Sequence, residues 1–142
     1  MPNILVVHYV TGLAEIIADV LKGKGYSAAC MKVSGDDLGK VAQQVVDRNP
    51  DLVFLSLNFG KGYLRKDKEA KPTWLRREEG LAELVNIRHR SGVPVVIVSS
   101  SSNGPRIEAL RNGAIRYYEM NSSTYLVDLP RIVAEVIGTP QS

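Results

Sequence analysis

The sequence predicts an α/β domain built on a five-stranded parallel sheet with helices on both faces, and three observations carry that expectation. Five apolar runs of strand length alternate with segments whose apolar residues recur at the helical period. Several of the runs are continuous rather than alternating, as in strands buried on both sides. The breaks between them fall mostly at Gly, Pro, Asn or Ser, which punctuate regular structure.

The first run is Ile4, Leu5, Val6 and Val7. A helix opens at Thr11 or Gly12, with Leu13, Ile16, Ile17, Val20 and Leu21 in one stripe, and Gly23 and Gly25 end it. Residues 28–33 form a weaker second strand, on which Cys30 reads as a small buried hydrophobe. Ser34 is expected to cap the second helix, with Asp36 and Asp37 in its first turn, where carboxylates favour the positive end. That helix runs through Leu38, Val41, Ala42, Val45 and Val46 and stops before Pro50. Residues 52–57 and 95–98 are the third and fourth strands, separated by a helix carrying Leu81, Leu84, Val85 and Ile87. A short helix with Ile107, Ala109 and Leu110 ends at Asn112 and Gly113, a good C-terminal pair. Residues 115–120 make the fifth strand. The last helix holds Leu126, Leu129, Ile132, Val133 and Val136, with Pro130 in its first turns. Alternation of this kind winds as a flavodoxin-like three-layer sandwich. Nothing in the sequence marks a second domain, so residues 1–142 read as one.

Composition excludes several classes of function. Hydrophobic residues make up 44% and charged residues 23% of the 142, as in ordinary globular proteins. No apolar run approaches the roughly 20 residues that span a bilayer. The start lacks a basic region before its apolar residues, and a single cysteine suits a reducing cytoplasm. Residues 61–79 contain seven basic and four acidic side chains, which accounts for the whole net charge of +3. The remainder is close to neutral, which argues against a nucleic-acid binder. No phosphate-binding glycine loop and no Cys/His metal cluster is present, so neither a cofactor nor a metal is expected.

Three segments are distinctive: Gly80-Leu-Ala-Glu-Leu followed by Ile87-Arg88, Gly92-Val-Pro-Val-Val-Ile-Val, and Gly113-Ala114 leading into Tyr117. With the strand–helix order, from Ile4 to about Gly138, they resemble the bacterial receiver domain, the phosphoacceptor module of two-component signalling. The resemblance implies a magnesium-binding acidic pair after the first strand, an acceptor aspartate ending the third, and a lysine after the fifth. This chain has His8 and Tyr9, then Ser56, then Met120 at those positions, with Asn121 in place of the following proline. Imidazole and phenol are poor magnesium ligands, and a hydroxyl without an adjacent base is a poor nucleophile. Ser99 and Tyr117 fall where receivers carry their switch hydroxyl and switch aromatic.

Receivers pass from the acceptor to the glycine of the third helix in fewer residues than separate Ser56 from Gly80 here. The added basic loop, about 61–78, follows a strand's carboxyl end, where folds of this kind bind ligands. Its Tyr63, Trp74, Arg76 and Arg77 are candidate partner-binding residues, an aromatic anchor with a steering rim. Thr73 would cap an early start of the third helix.

The expectation is therefore a degenerate pseudo-receiver with no catalytic residue and no enzymatic activity. It acts in the cytoplasm as a signalling or scaffold domain, by protein–protein contact without aspartyl phosphorylation. No membrane is involved; the partner is an unidentified protein, with a homodimer as one form. The alternative is a sensor that binds a small anion or nucleotide at the vacated site, where Ser56, Ser99 and Asn103 converge. An enzyme using Ser56 with His8 as base would lack an acid to orient the histidine.

Overall fold

The computed structural model describes residues 2–8, 11–33, 39–57, 77–99, 106–120 and 124–139. Five strands alternate with five helices: β1 (Asn3–His8), α1 (Thr11–Gly23), β2 (Ser27–Lys32), α2 (Lys40–Arg48) and β3 (Leu52–Ser56) come first. They are followed by α3 (Arg77–Arg90), β4 (Val95–Ser99), α4 (Arg106–Arg111), β5 (Arg116–Glu119) and α5 (Tyr125–Ile137). All pairings are parallel and the sheet order is β2-β1-β3-β4-β5. Element order and sheet are those expected of the sequence.

Alternation along the strands sorts the core into two layers. Leu5, Val7, Val53, Leu55, Val95 and Ile97 face α2, α3 and α4. Ile4, Val6, Phe54, Val96 and Val98 face α1 and α5. Central strands β1, β3 and β4 are therefore apolar on both sides, which is why they read as unbroken runs.

Helix ends follow local chemistry. Gly25 and Gly113 hold φ of 96° and 106°, conformations that favour glycine. After α4, the Gly113 N–H donates to the Leu110 carbonyl at 3.2 Å and the Ala114 N–H to that of Ala109 at 3.1 Å, the double bond of a glycine-terminated helix. The same pair of bonds ends α1 through Gly25 and Tyr26. On α5, the Tyr118 hydroxyl donates to Asp128 at 2.6 Å. That bond, with others from Thr124 and Arg131, holds the Asp128 carboxyl below the usual carboxylate range. At the other end of the helix, Tyr26 donates to the Gly138 carbonyl at 3.0 Å.

Two expectations are corrected. The second helix, expected to run unbroken from Ser34 past Leu38, is not continuous across Gly39. Its described start is Lys40, preceded by Gly39 at φ 88°, which no right-handed helix contains. Gly39 has no side chain to cap with, and the cap comes from another helix. Glu83 of α3, fully buried, accepts the N–H of Gly39 through one carboxylate oxygen and that of Ala42 through the other, at 3.0 Å for Ala42. Residues 34–38 lie outside the described set. Cys30, in turn, is on β2 as expected but is exposed. β2 is an edge strand with a burial pattern that alternates, so it does not bury both faces as the central strands do.

Helix α3 is seated against the exit of β3. The Gly80 N–H donates to the Leu57 carbonyl at 3.1 Å, and a β-carbon added at Gly80 would stand 2.2 Å from the Leu57 Cα and O. Backbone atoms on one side and a packed helix on the other leave no small adjustment. Gly80→Ala should therefore destabilise the protein by about 3 kcal/mol, whereas the same change on an open helix face usually stabilises by about 0.5–1 kcal/mol. Urea denaturation checks it; an unchanged midpoint would show that α3 moves away freely.

Candidate functional site

The carboxyl ends of β1, β3, β4 and β5 bring the predicted residues to one edge of the sheet. His8 ends β1, Ser56 ends β3, Ser99 ends β4, and Met120 follows β5. The register Val7↔Leu55 makes His8 and Ser56 the next residues on adjacent strands, which run roughly 4.8 Å apart. Their parity sets both on the face covered by α1 and α5, the face that also takes the Met120 side chain. Met120 is two strands beyond Ser56 in the sheet order, and its N–H donates to the Ser99 carbonyl at 2.7 Å.

Ser99 neighbours the β3 end, but alternation turns it to the opposite face, together with Tyr117. Ser56 and Ser99 therefore share the edge and not a face. Tyr117 is buried and its hydroxyl has no hydrogen-bond partner among the described residues. The Arg106 guanidinium lies over its ring, 5.9 Å from the centroid. Tyr9, Tyr63, Trp74, Arg76 and Asn103, the Arg77 side chain and most of the basic loop lie outside what is described.

Both His8 and Ser56 are 3% exposed. Burial favours the uncharged imidazole and pulls the His8 pKa down from 6.5 to about 4. At neutral pH the site therefore presents a neutral ring and a hydroxyl. Neither is the hard, anionic oxygen donor that magnesium selects, so these residues do not fit the metal that a receiver's chemistry needs. No group of three His, Cys, Asp or Glu suited to a metal occurs among the described residues.

The residue that sequence reasoning missed is Glu83. It stands inside the apolar stripe of α3, where nothing local assigns it a role. Only the cap-less Gly39, a tertiary neighbour, explains it.

No protein-family model and no curated protein matches the sequence. Solved structures do. The receiver domain of NtrX from Brucella abortus superposes with a TM-score of 0.65 at 26% identity, over 93% of this chain and 94% of that one. A two-component response regulator from Clostridium difficile gives 0.69 at 17% identity, with 96% of each chain covered. An orphan response regulator of H. pylori gives 0.64 at 22%, over 95% of this chain and 96% of that one. Against a longer NtrX chain the score is 0.68 at 25% identity, and 95% of this chain spans 26% of that one. The architecture is that of response-regulator receiver domains, with a five-stranded parallel sheet between helices. Among the described residues, no helix is long and apolar enough to cross a membrane.

The buried imidazole makes stability depend on pH. The unfolded chain takes up the His8 proton near 6.5 and the folded chain only near 4, so the contribution is complete above about 6.5 and is lost as pH falls from there toward 4. The full effect is about 3 kcal/mol, of which about 2 kcal/mol is gone at pH 5. Urea titrations at pH 7.5 and 5 should show that loss in the native protein and its absence in His8→Gln, whose carboxylates still titrate. Equal losses in both proteins would mean that His8 takes up its proton in the fold as readily as in the unfolded chain.

Proposed function

We propose that this chain is a non-enzymatic pseudo-receiver, a signalling or scaffold module that works through protein contacts without aspartyl phosphorylation. The observation that carries the reading is the buried His8–Ser56 pair at the carboxyl edge of a receiver-like sheet. Phosphoryl transfer of this type needs an anionic acceptor, a metal and a cation, and acts mostly by positioning and charge neutralisation. A neutral imidazole, a hydroxyl and the thioether of Met120 supply none of these.

What remains is a scaffold with exposed apolar surface. Ile107 is 62% and Ile115 50% exposed on α4 and the start of β5, with Leu110 beside them. Leu110 and Ile115 line an open groove of about 370 Å³ together with Arg106, Arg116 and Arg131. Apolar side chains ringed by arginine are the usual composition of a contact patch. The partner is a protein, with a second copy of the chain as one form. A conformational role for Ser99 and Tyr117 belongs to the same proposal, since Tyr117 sits beneath Arg106 at that groove.

Incubation with acetyl phosphate and magnesium, followed by intact-mass measurement, should give no phosphoprotein. Ser56→Asp should also stay at background. It restores a carboxylate nucleophile but neither the acidic pair replaced by His8 and Tyr9 nor the cation replaced by Met120. A stable adduct on the native chain would overturn the proposal. One on Ser56→Asp alone would show that other groups supply the metal and the charge.

A further inference from the structure

The sheet has an edge whose hydrogen-bonding capacity is unused among the described residues. β2 pairs with β1 along all six residues and lies at the end of the strand order. The Ser27 N–H donates to the Pro2 carbonyl at 2.9 Å, and the Val33 N–H to that of His8 at 3.2 Å. Odd-numbered residues therefore direct their backbone groups toward β1. Those of Ala28, Cys30 and Lys32 point outward, three N–H groups and three carbonyls in a row.

A groove of about 370 Å³ runs beside this row, between β2 and α2. Cys30, Met31, Lys40, Gln43, Gln44 and Arg48 line it. Its polar side chains are tied to the protein: Arg48 donates to Gln44 at 2.9 Å, and Arg90 reaches across from α3 to Gln43 at 2.7 Å. Among the described residues, charge around it is mostly of one sign. Lys40, Arg48 and Arg90, with Lys32 at the end of the strand, are set against Asp47, which accepts from Gln43 at 2.8 Å. A second copy docked edge to edge would bring like charges together, so self-pairing is opposed.

We infer that the β2 edge binds an extended, acidic peptide segment of a partner protein as a sixth strand. The backbone row supplies main-chain hydrogen bonds, the groove takes alternate side chains, and the cations select carboxylates. This deepens the reading of the chain as a protein-contact module and rests on it, at a surface separate from the α4–β5 patch.

The probe is a fluorescein-labelled decapeptide alternating Glu and Val, with a Lys–Val peptide as control, in anisotropy titrations at low salt against the full chain. The Glu–Val peptide should bind and the control should not. Cys30→Pro removes the central outward N–H at an edge position that tolerates proline, and Arg48→Glu reverses a charge on an exposed helix face. Each should weaken binding about tenfold or more. Bound probe should also slow the reaction of Cys30 with a thiol reagent. No binding, or binding indifferent to both variants, overturns the inference. So does a dimer, by sedimentation, in which Cys30 is protected, because a second copy then occupies the edge. Acetyl-phosphate labelling reads the underlying proposal separately: a phosphoprotein would overturn that reading, while a failed peptide titration would leave it standing.

Discussion

Helix α3 approaches the end of β3 so closely that no side chain fits between them, and the arrangement of the carboxyl edge depends on that approach. The Gly80–Leu57 hydrogen bond fixes where α3 begins to pack, immediately after the residue that ends β3. With that point set, Leu84 and Ile87 reach the core layer and Glu83 reaches α2. A larger residue at Gly80 would push the helix out, pull Glu83 from the Gly39 and Ala42 amides, and unseat two helices at once. The buried carboxylate is tolerable because it accepts hydrogen bonds from both sides; left unpaired, it would cost several kcal/mol.

Much of this was legible in the sequence, for a definite reason. Unbroken apolar runs at residues 4–7, 52–57 and 95–98 have no other comfortable home than a parallel sheet covered on both faces. The glycines at 25 and 113 mark helix ends whose positive φ they alone adopt easily. Strand ends placed His8, Ser56, Ser99 and Met120 on one edge before any coordinates were needed. The misses share a cause. Cys30 was read by composition, but its exposure is decided by sheet order, and β2 lies at the end of that order. The described start of α2 turns on a tertiary carboxylate, Glu83, which no local signal reveals. Glu83 has its role because the residue before α2, Gly39, has no side chain to cap with.

Chemistry at the site follows from burial acting on residues of the wrong charge type. A receiver-like edge concentrates carboxylates and tolerates them because a cation is close. Here the same depth holds His8, and burial drives it to the neutral form. A hydroxyl next to a neutral ring needs no compensating charge, so the sheet end can close over apolar neighbours such as Val6 and Phe54. The substitutions are thus physically consistent with one another. Neutral groups at His8, Ser56 and Met120 are compatible with one another, whereas a single neutral group within a charged set would leave a buried ion unpaired.

On the proposed reading, recognition falls to the surface. The described outer face offers two contrasting places. On α4 and the start of β5, apolar side chains stand out among arginines, several of which are engaged: Arg116 with Glu135 at 2.5 Å, and Arg131 with Asp128 at 3.1 Å. Such exposed pairs are worth little and are readily exchanged for a partner's carboxylates. On β2 the directional element is backbone, and a lysine at the strand's end is a common guard against indiscriminate edge pairing. Under the proposed edge binding, the same lysine that repels a like edge would attract an acidic one. Protection and selectivity at β2 would then be one property, set by the sign of the charges along α2 and the strand.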